Sequence, residues 1–119
     1  MLIKTGKDLE VFKKAYRLSL EIHHVSLSFP KIEQFALADQ LRRSSKSVCA
    51  NIIEGFAKQS SSKAEFKRFL VIAIASAHET DLWLDYARDL RYLRPSDYQK
   101  FFTANCQTIA MLTSLKTKS

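Results

Sequence analysis

Turn-forming residues are scarce in this chain, with two glycines and two prolines among 119 residues. So few breakers argue against many short strands joined by tight turns and favour long, uninterrupted elements, which points to helices. Cysteine is equally sparse. Cys49 and Cys106 form no Cys-x-x-Cys pair and have no histidine cluster beside them, so neither a disulfide framework nor a zinc site is expected, and two buried, reduced thiols are. No apolar run approaches the roughly 18 to 20 residues that span a bilayer, and MLIKTGKDLE has no signal-peptide apolar core. These absences predict a cytoplasmic protein with no membrane partner. Gly-x-Ser-x-Gly, a Walker loop and His-Glu-x-x-His are also missing, so no catalytic residue, metal or cofactor is predicted, although a convergent site would need no motif.

Positive charge is what the chain has in excess: +7 overall, with 19 Lys and Arg against 12 Asp and Glu. Residues 42–68 hold seven of these cations and two glutamates. Such a balance suits a protein that meets polyanions, but equally a basic bundle that binds nothing.

Hydrophobic spacing predicts four helices. Val11, Ala15, Leu18, Ile22, Val25 and Phe29 alternate in steps of four and three, behind Thr5 and Asp8 at capping-box spacing, so a first helix should begin near Asp8 and stop at Pro30. A second should run from about Ile32 to Lys58, with Leu37, Leu41, Ser45, Val48, Ile52 and Phe56 facing the core. Ser62 and Glu65 repeat the capping spacing and open a long third helix through Phe66, Phe69, Leu70, Ala73, Ala77, Thr80, Leu84 and Ala87 to about Tyr92. Ser96 and Gln99 should cap a fourth, with a seam of Tyr98, Phe102, Cys106 or Asn105, Ile109 and Leu112. Short links between such helices favour antiparallel neighbours. The expectation is an all-α, antiparallel up-down-up-down four-helix bundle, residues 1–119 forming one domain. In that topology Lys4, Lys7, Lys58, Lys63, Lys67, Arg68, Lys116 and Lys118 share one end, with Asp8 and Glu65 engaged locally at helix N-termini.

Two candidate constellations remain. Glu21 and His24 have the Glu-x-x-His spacing of di-iron bundles, but they follow the charged stripe of Glu10, Lys14 and Arg17 and have no second copy, so a metal site is rejected. The other is QLRRSSKSVCANIIEGFAK, residues 40–58. At 100° per residue Gln40, Arg43, Ser47, Asn51, Glu54 and Lys58 fall on one arc of about 80°, a polar ladder beside the apolar stripe. Arg42 and Lys46 lie on another side. A helix patterned on most of its faces is commonly covered by another subunit, so the ladder is expected to pair within itself or with Ser76 and Glu79 of the third helix and to specify assembly. The cations kept as nucleic-acid candidates are Arg42, Lys46, Lys58, Lys63, Lys67 and Arg68.

The runs KDLEVFKKA, FPKIEQFALADQLRRSSKSVCANIIEGFAK and EFKRFLVIAIASAHET resemble a family of four-helix bundles encoded within intervening sequences of bacterial large-subunit ribosomal RNA genes. The resemblance runs from about Lys7 to Leu115 and is most specific over Gln-Leu-Arg-Arg…Ser…Asn-Ile-x-Glu-Gly-Phe. Its pattern falls on Asp8, Leu9, Pro30, Gln40, Arg43, Ser47, Asn51, Ile52, Glu54, Gly55 and Phe56, then on Phe69, Leu70, Ala73, Ser76 and Glu79. Cys49 stands where the family often has proline, and Ile74-Ala75 replaces a polar-glycine pair, which leaves a helix kink and a close backbone approach open. The resemblance implies a homopentameric ring, similar to accessory proteins of diversity-generating retroelements that partner a reverse transcriptase and associate with RNA or DNA. It brings no established enzymatic activity.

Overall fold

Each predicted helix forms, and its boundaries follow from where free backbone N–H groups find acceptors. The computed structural model describes residues 3–119, so Met1 and Leu2, part of the stretch read for a leader, lie outside the described residues. Among the described residues there are four α-helices and no strand: α1 Glu10–Ser26, α2 Leu37–Lys58, α3 Lys63–Asp89 and α4 Pro95–Lys118. They pack α1 on α2, α2 on α3, α3 on α4 and α4 back on α1, whereas the diagonals α1–α3 and α2–α4 do not touch. That is the up-down-up-down bundle, 45 Å long and 24 by 21 Å across.

Several ends differ from the sequence expectation for identifiable reasons. The Thr5–Asp8 capping box exists but closes a 3-10 turn, Gly6–Asp8, and α1 starts two residues later. The second helix begins at Leu37 rather than Ile32, because residues 31–36 form a 3-10 turn and a corner instead. Gln34 holds this corner by donating its amide to the carbonyls of Ser26 and Phe29, which leaves Ile32 and Phe35 83% and 96% exposed. Ser62 does cap α3, accepting from Glu65 N at 3.1 Å. Ser96 caps nothing; Arg94 is the N-cap residue of α4 and Pro95 takes the first helical position, where its missing N–H is harmless.

The fourth seam keeps Leu112 and takes Asn105 of its two central alternatives, but at the other positions it lies one residue out of phase with the expectation. Phe101, Asn105, Thr108 and Leu112 are buried, while Tyr98, Phe102 and Ile109 are half-buried and Cys106 is exposed. Asn105 occupies the core because its amide donates to the Ala77 carbonyl at 2.8 Å, satisfying a group that burial would otherwise penalise. Of the two thiols expected inside, only Cys49 is buried. Two apolar clusters result, one around Val48, Ile52, Phe66, Leu70 and Leu112, the other around Ile22, Leu41, Leu84 and Phe101. Between them lies a waist of small hydroxyls. Thr80 donates to Ser44 Oγ, and Asn105 and Thr108 close the layer from α4. Small side chains here let α2 and α3 approach closely while neighbouring carbonyls satisfy the hydroxyls.

Candidate nucleic-acid interface

The basic end is assembled by three segments that sequence separates and topology joins. The Asp8 carboxylate accepts from Lys4 N at 2.8 Å and Thr5 N at 3.0 Å, and these backbone donors hold its pKa below the usual range. The turn so formed lies directly on α2: Gly6 is buried, and a Cβ there would sit 3.0 Å from Ile53 Cδ1 and 3.2 Å from Ile53 Cα. Only glycine permits that approach without displacement. Lys4 and Lys7 are thereby carried to the end of α2, where they rim a cleft of about 630 Å³ floored by Ile53, Phe56 and Ala57.

Lys58 and Lys63 flank the α2–α3 turn, in which Ser61 N and Ser62 N both donate to the Lys58 carbonyl. On the first turns of α3, Arg68 pairs with Glu65 at 2.6 Å, which lowers the carboxyl's pKa and raises the guanidinium's. The same guanidinium lies 4.7 Å over the Phe69 ring, so Phe69, expected in the core, is half-buried at the bundle edge. The end of α4 adds Lys116 and Lys118. Lys58, Lys63, Lys67, Lys116 and Lys118 have no side-chain ion pair or hydrogen bond among the described residues. Five cationic side chains thus remain available to an anion beside one that is paired.

Arg42 and Lys46 do not join this group. Arg42 donates to Ser26 Oγ at 2.9 Å, to Gln34 Oε1 at 3.2 Å and to the Gln34 carbonyl at 2.7 Å, so its guanidinium ties the α1–α2 corner together instead of facing a ligand. Lys46 is exposed and reaches His23 Nδ1 at 3.1 Å. Burial first, then the cations Lys46 and Arg42, lowers the His23 pKa. Glu21, half of the rejected metal pair, instead meets Lys100 at 3.2 Å.

The polar ladder divides as well. Ser47 turns toward α3, its Oγ 2.9 Å from Ser76 Oγ, and the Asn51 amide joins it along α2 by donating to the Ser47 carbonyl and hydroxyl at 2.8 and 3.1 Å. Gln40, Arg43 and Glu54 are exposed and have no partner among the described residues, and Glu79 accepts from Trp83 Nε1 at 3.2 Å. The expected pairing with Ser76 is therefore present, whereas that between Arg43 and Glu54 is not.

The model of the 23S rRNA-intervening sequence protein family matches residues 7–114. The chain belongs to that family. A crystal structure at 1.70 Å of a protein of unknown function from the S23 ribosomal protein family of Bacteroides thetaiotaomicron VPI-5482 is similar to it. The two share 26% identity over 90% of this chain and 95% of that one, with a TM-score of 0.80. The search of curated proteins finds no match. In this intervening-sequence family member α2 runs without interruption through Cys49, whose buried thiol lies 4.0 Å from Ser19 Oγ, so cysteine in place of proline brings no helix break.

Two features of this family member were not legible in its sequence. Asp81 interacts electrostatically with His78 on its own helix α3 and with Cys106 on α4. Asp81 Oδ1 is buried without a hydrogen-bond partner, and burial, then Asp85, raises that carboxyl's pKa. Burial and Asp81 raise the Cys106 pKa also, which keeps it a thiol and makes it a poor nucleophile. Among the described residues no group of three His, Cys, Asp or Glu could hold a metal, and no helix is long and apolar enough to cross a membrane. The second feature concerns the apolar faces. The outer face of α2, expected to meet another subunit, carries Arg43, Lys46, Glu54 and other residues exposed within one chain, and α1 likewise exposes Tyr16, Leu20 and Leu27 and α3 Val71, Leu82 and Tyr86.

Proposed function

We propose that this protein is a non-enzymatic, self-associating bundle that binds RNA or DNA through the phosphate backbone, in a ring for which the family resemblance suggests five copies. The observation that carries the reading is the basic end, where Lys58, Lys63, Lys67, Lys116 and Lys118 have no side-chain ion pair or hydrogen bond among the described residues and Lys4 and Lys7 rim the adjoining cleft. Lysine ammoniums suit phosphate contacts, which position a protein without reading bases, so binding is weak per subunit and indifferent to sequence. A ring repeats the patch, and each added phosphate contact steepens the salt dependence.

Anisotropy of labelled RNA and DNA oligonucleotides across a salt series tests this. Log affinity should fall steeply with log salt, and the combined Lys63→Glu, Lys67→Glu and Arg68→Glu variant should lose binding while keeping its oligomeric mass. Flat salt dependence, or no binding near about 100 mM salt, overturns the reading. A second reading, a scaffold or accessory subunit for a protein such as a reverse transcriptase, is favoured by the exposed Ile32 and Phe35 at the opposite end. Loss of partner capture in Ile32→Ser with Phe35→Ser, at unchanged nucleic-acid affinity, would support it.

A further inference from the structure

We infer that the cleft between the N-terminal turn and the end of α2 receives one unpaired base of a single-stranded nucleic acid, with the adjoining phosphate held at its lysine rim. This inference rests on the phosphate binding in the proposed function and adds which form of nucleic acid the basic end selects. The cleft has two unlike parts. Its floor is Ile53, Phe56 and Ala57, on one face of α2, and its rim carries Lys4 and Lys7, with Gln59 on the far side. No carboxylate of the described residues lines it. Neither the two lysine ammoniums nor the Gln59 amide has an ion pair or hydrogen bond among the described residues.

The shape is fixed before any ligand arrives. Thr5 Oγ1 accepts from Lys7 N at 3.2 Å and the Asp8 carboxylate from Lys4 N at 2.8 Å, so the backbone of both rim residues is tied into one turn. Gly6 seats that turn on Ile53 at a distance no side chain would allow. A preformed cleft of about 630 Å³ is ample for a small ligand and costs little ordering on binding.

What it selects follows from its chemistry. An apolar floor beside uncompensated positive charge fits a ligand that is flat and apolar on one side and anionic on the other. The floor spans four residue steps of helix, about 6 Å, which matches a nucleobase and is too short for an extended acyl chain. Because α2 ends here, its C-terminal carbonyls disfavour a phosphate, so the charge belongs at the Lys4 and Lys7 rim and the base over the floor. Phe56 suits bases of any sequence, since every base has a π face, and the Gln59 amide both donates and accepts, so by rotating it meets more than one base edge. A second copy of the bundle is the wrong occupant, because it would bring like charge to the rim. A duplex keeps its bases stacked inside the helix and can use the phosphate contacts alone.

Anisotropy at about 100 mM salt tests this with three labelled DNA probes of one length: a mixed-sequence single strand, the same strand annealed to its complement, and the same strand with abasic sites, which keeps every phosphate. On phosphates alone the duplex, with its higher charge density, would bind best. With a base in the cleft the single strand should bind about 10-fold more tightly than either of the others. Two variants locate the effect, with circular dichroism to verify helix content: Ala57→Leu narrows the cleft from an exposed position without changing charge, and Phe56→Ala removes the half-buried ring. The preference should vanish in at least one folded variant while duplex affinity stays unchanged. Equal binding of the single strand and either other probe, or a preference that persists in both variants, overturns the base site and leaves phosphate binding standing. No binding of any probe overturns both, by removing the phosphate contacts on which the site depends.

Discussion

The two ends of the bundle treat their cations differently. At the end formed by the α1–α2 corner and the α3–α4 turn, three arginines are engaged and only Arg91 is not, among the described residues: Arg88 with Asp89 at 2.8 Å and Asp85 at 3.8 Å, Arg94 with Asp97 at 3.2 Å, and Arg42 with the corner backbone. Tyr98 reinforces the first group, donating to Asp85 at 2.7 Å beneath the Arg88 guanidinium, and burial followed by that bond pushes its pKa up to about 12. At the other end lysines predominate and most have no partner. The difference teaches that charge available to a ligand is charge left after intramolecular pairing. Arginine's planar fork suits fixed partners, whereas a flexible lysine ammonium suits a mobile phosphate backbone.

Charge reversal at the two ends is the sharpest way to break this comparison. Lys58→Glu with Lys63→Glu and Lys67→Glu should weaken RNA binding by about 100-fold or more at moderate salt, and Arg88→Glu with Arg94→Glu by no more than about 3-fold, read by anisotropy. Equal losses would make total charge, not its pairing, the determinant. Adjacent arginines give a second contrast. Arg42→Ala removes three hydrogen bonds from the corner and should cost about 2 to 3 kcal/mol in urea unfolding, against less than about 0.5 kcal/mol for exposed Arg43→Ala.

Smaller effects belong to the engaged end. Arg91 has φ 66° at the C-terminus of α3, where Tyr92 N and Leu93 N turn back to the Ala87 carbonyl. Glycine tolerates that conformation, so Arg91→Gly should stabilise by about 1 kcal/mol, seen as a rise in Tm of a few degrees. Asp81 should give the smallest effect. Its folded pKa is raised by burial and by Asp85, so its favourable contribution is full below the unfolded carboxyl range and is lost as pH rises through the folded value. Asp81→Asn should therefore raise Tm at pH 7 by a degree or more, with the gain shrinking toward pH 3.

Much of the fold was legible because it depends on local rules. Alternating steps of three and four marked α1, α2 and α3, and the capping spacing at Ser62 located the N-terminus of α3, while that at Thr5 marked the 3-10 turn before α1. The errors came where a distant group intervened. Asn105 looked no more buried than Cys106 until the Ala77 carbonyl appeared beside it, and Arg42 looked like a ligand residue until Gln34 and Ser26 took its guanidinium. The ladder was half legible: helical phase grouped its members, but only packing against α3 separated Ser47 and Asn51 from Arg43 and Glu54.

By itself, then, the sequence determined helix number, approximate length and the excess of positive charge, since propensity, periodicity and charge are properties of neighbouring residues. Which cations stay unpaired, which polar groups enter the core and which apolar stripes face outward was decided by tertiary structure alone. Those outcomes depend on what the other helices bring within hydrogen-bond or van der Waals reach.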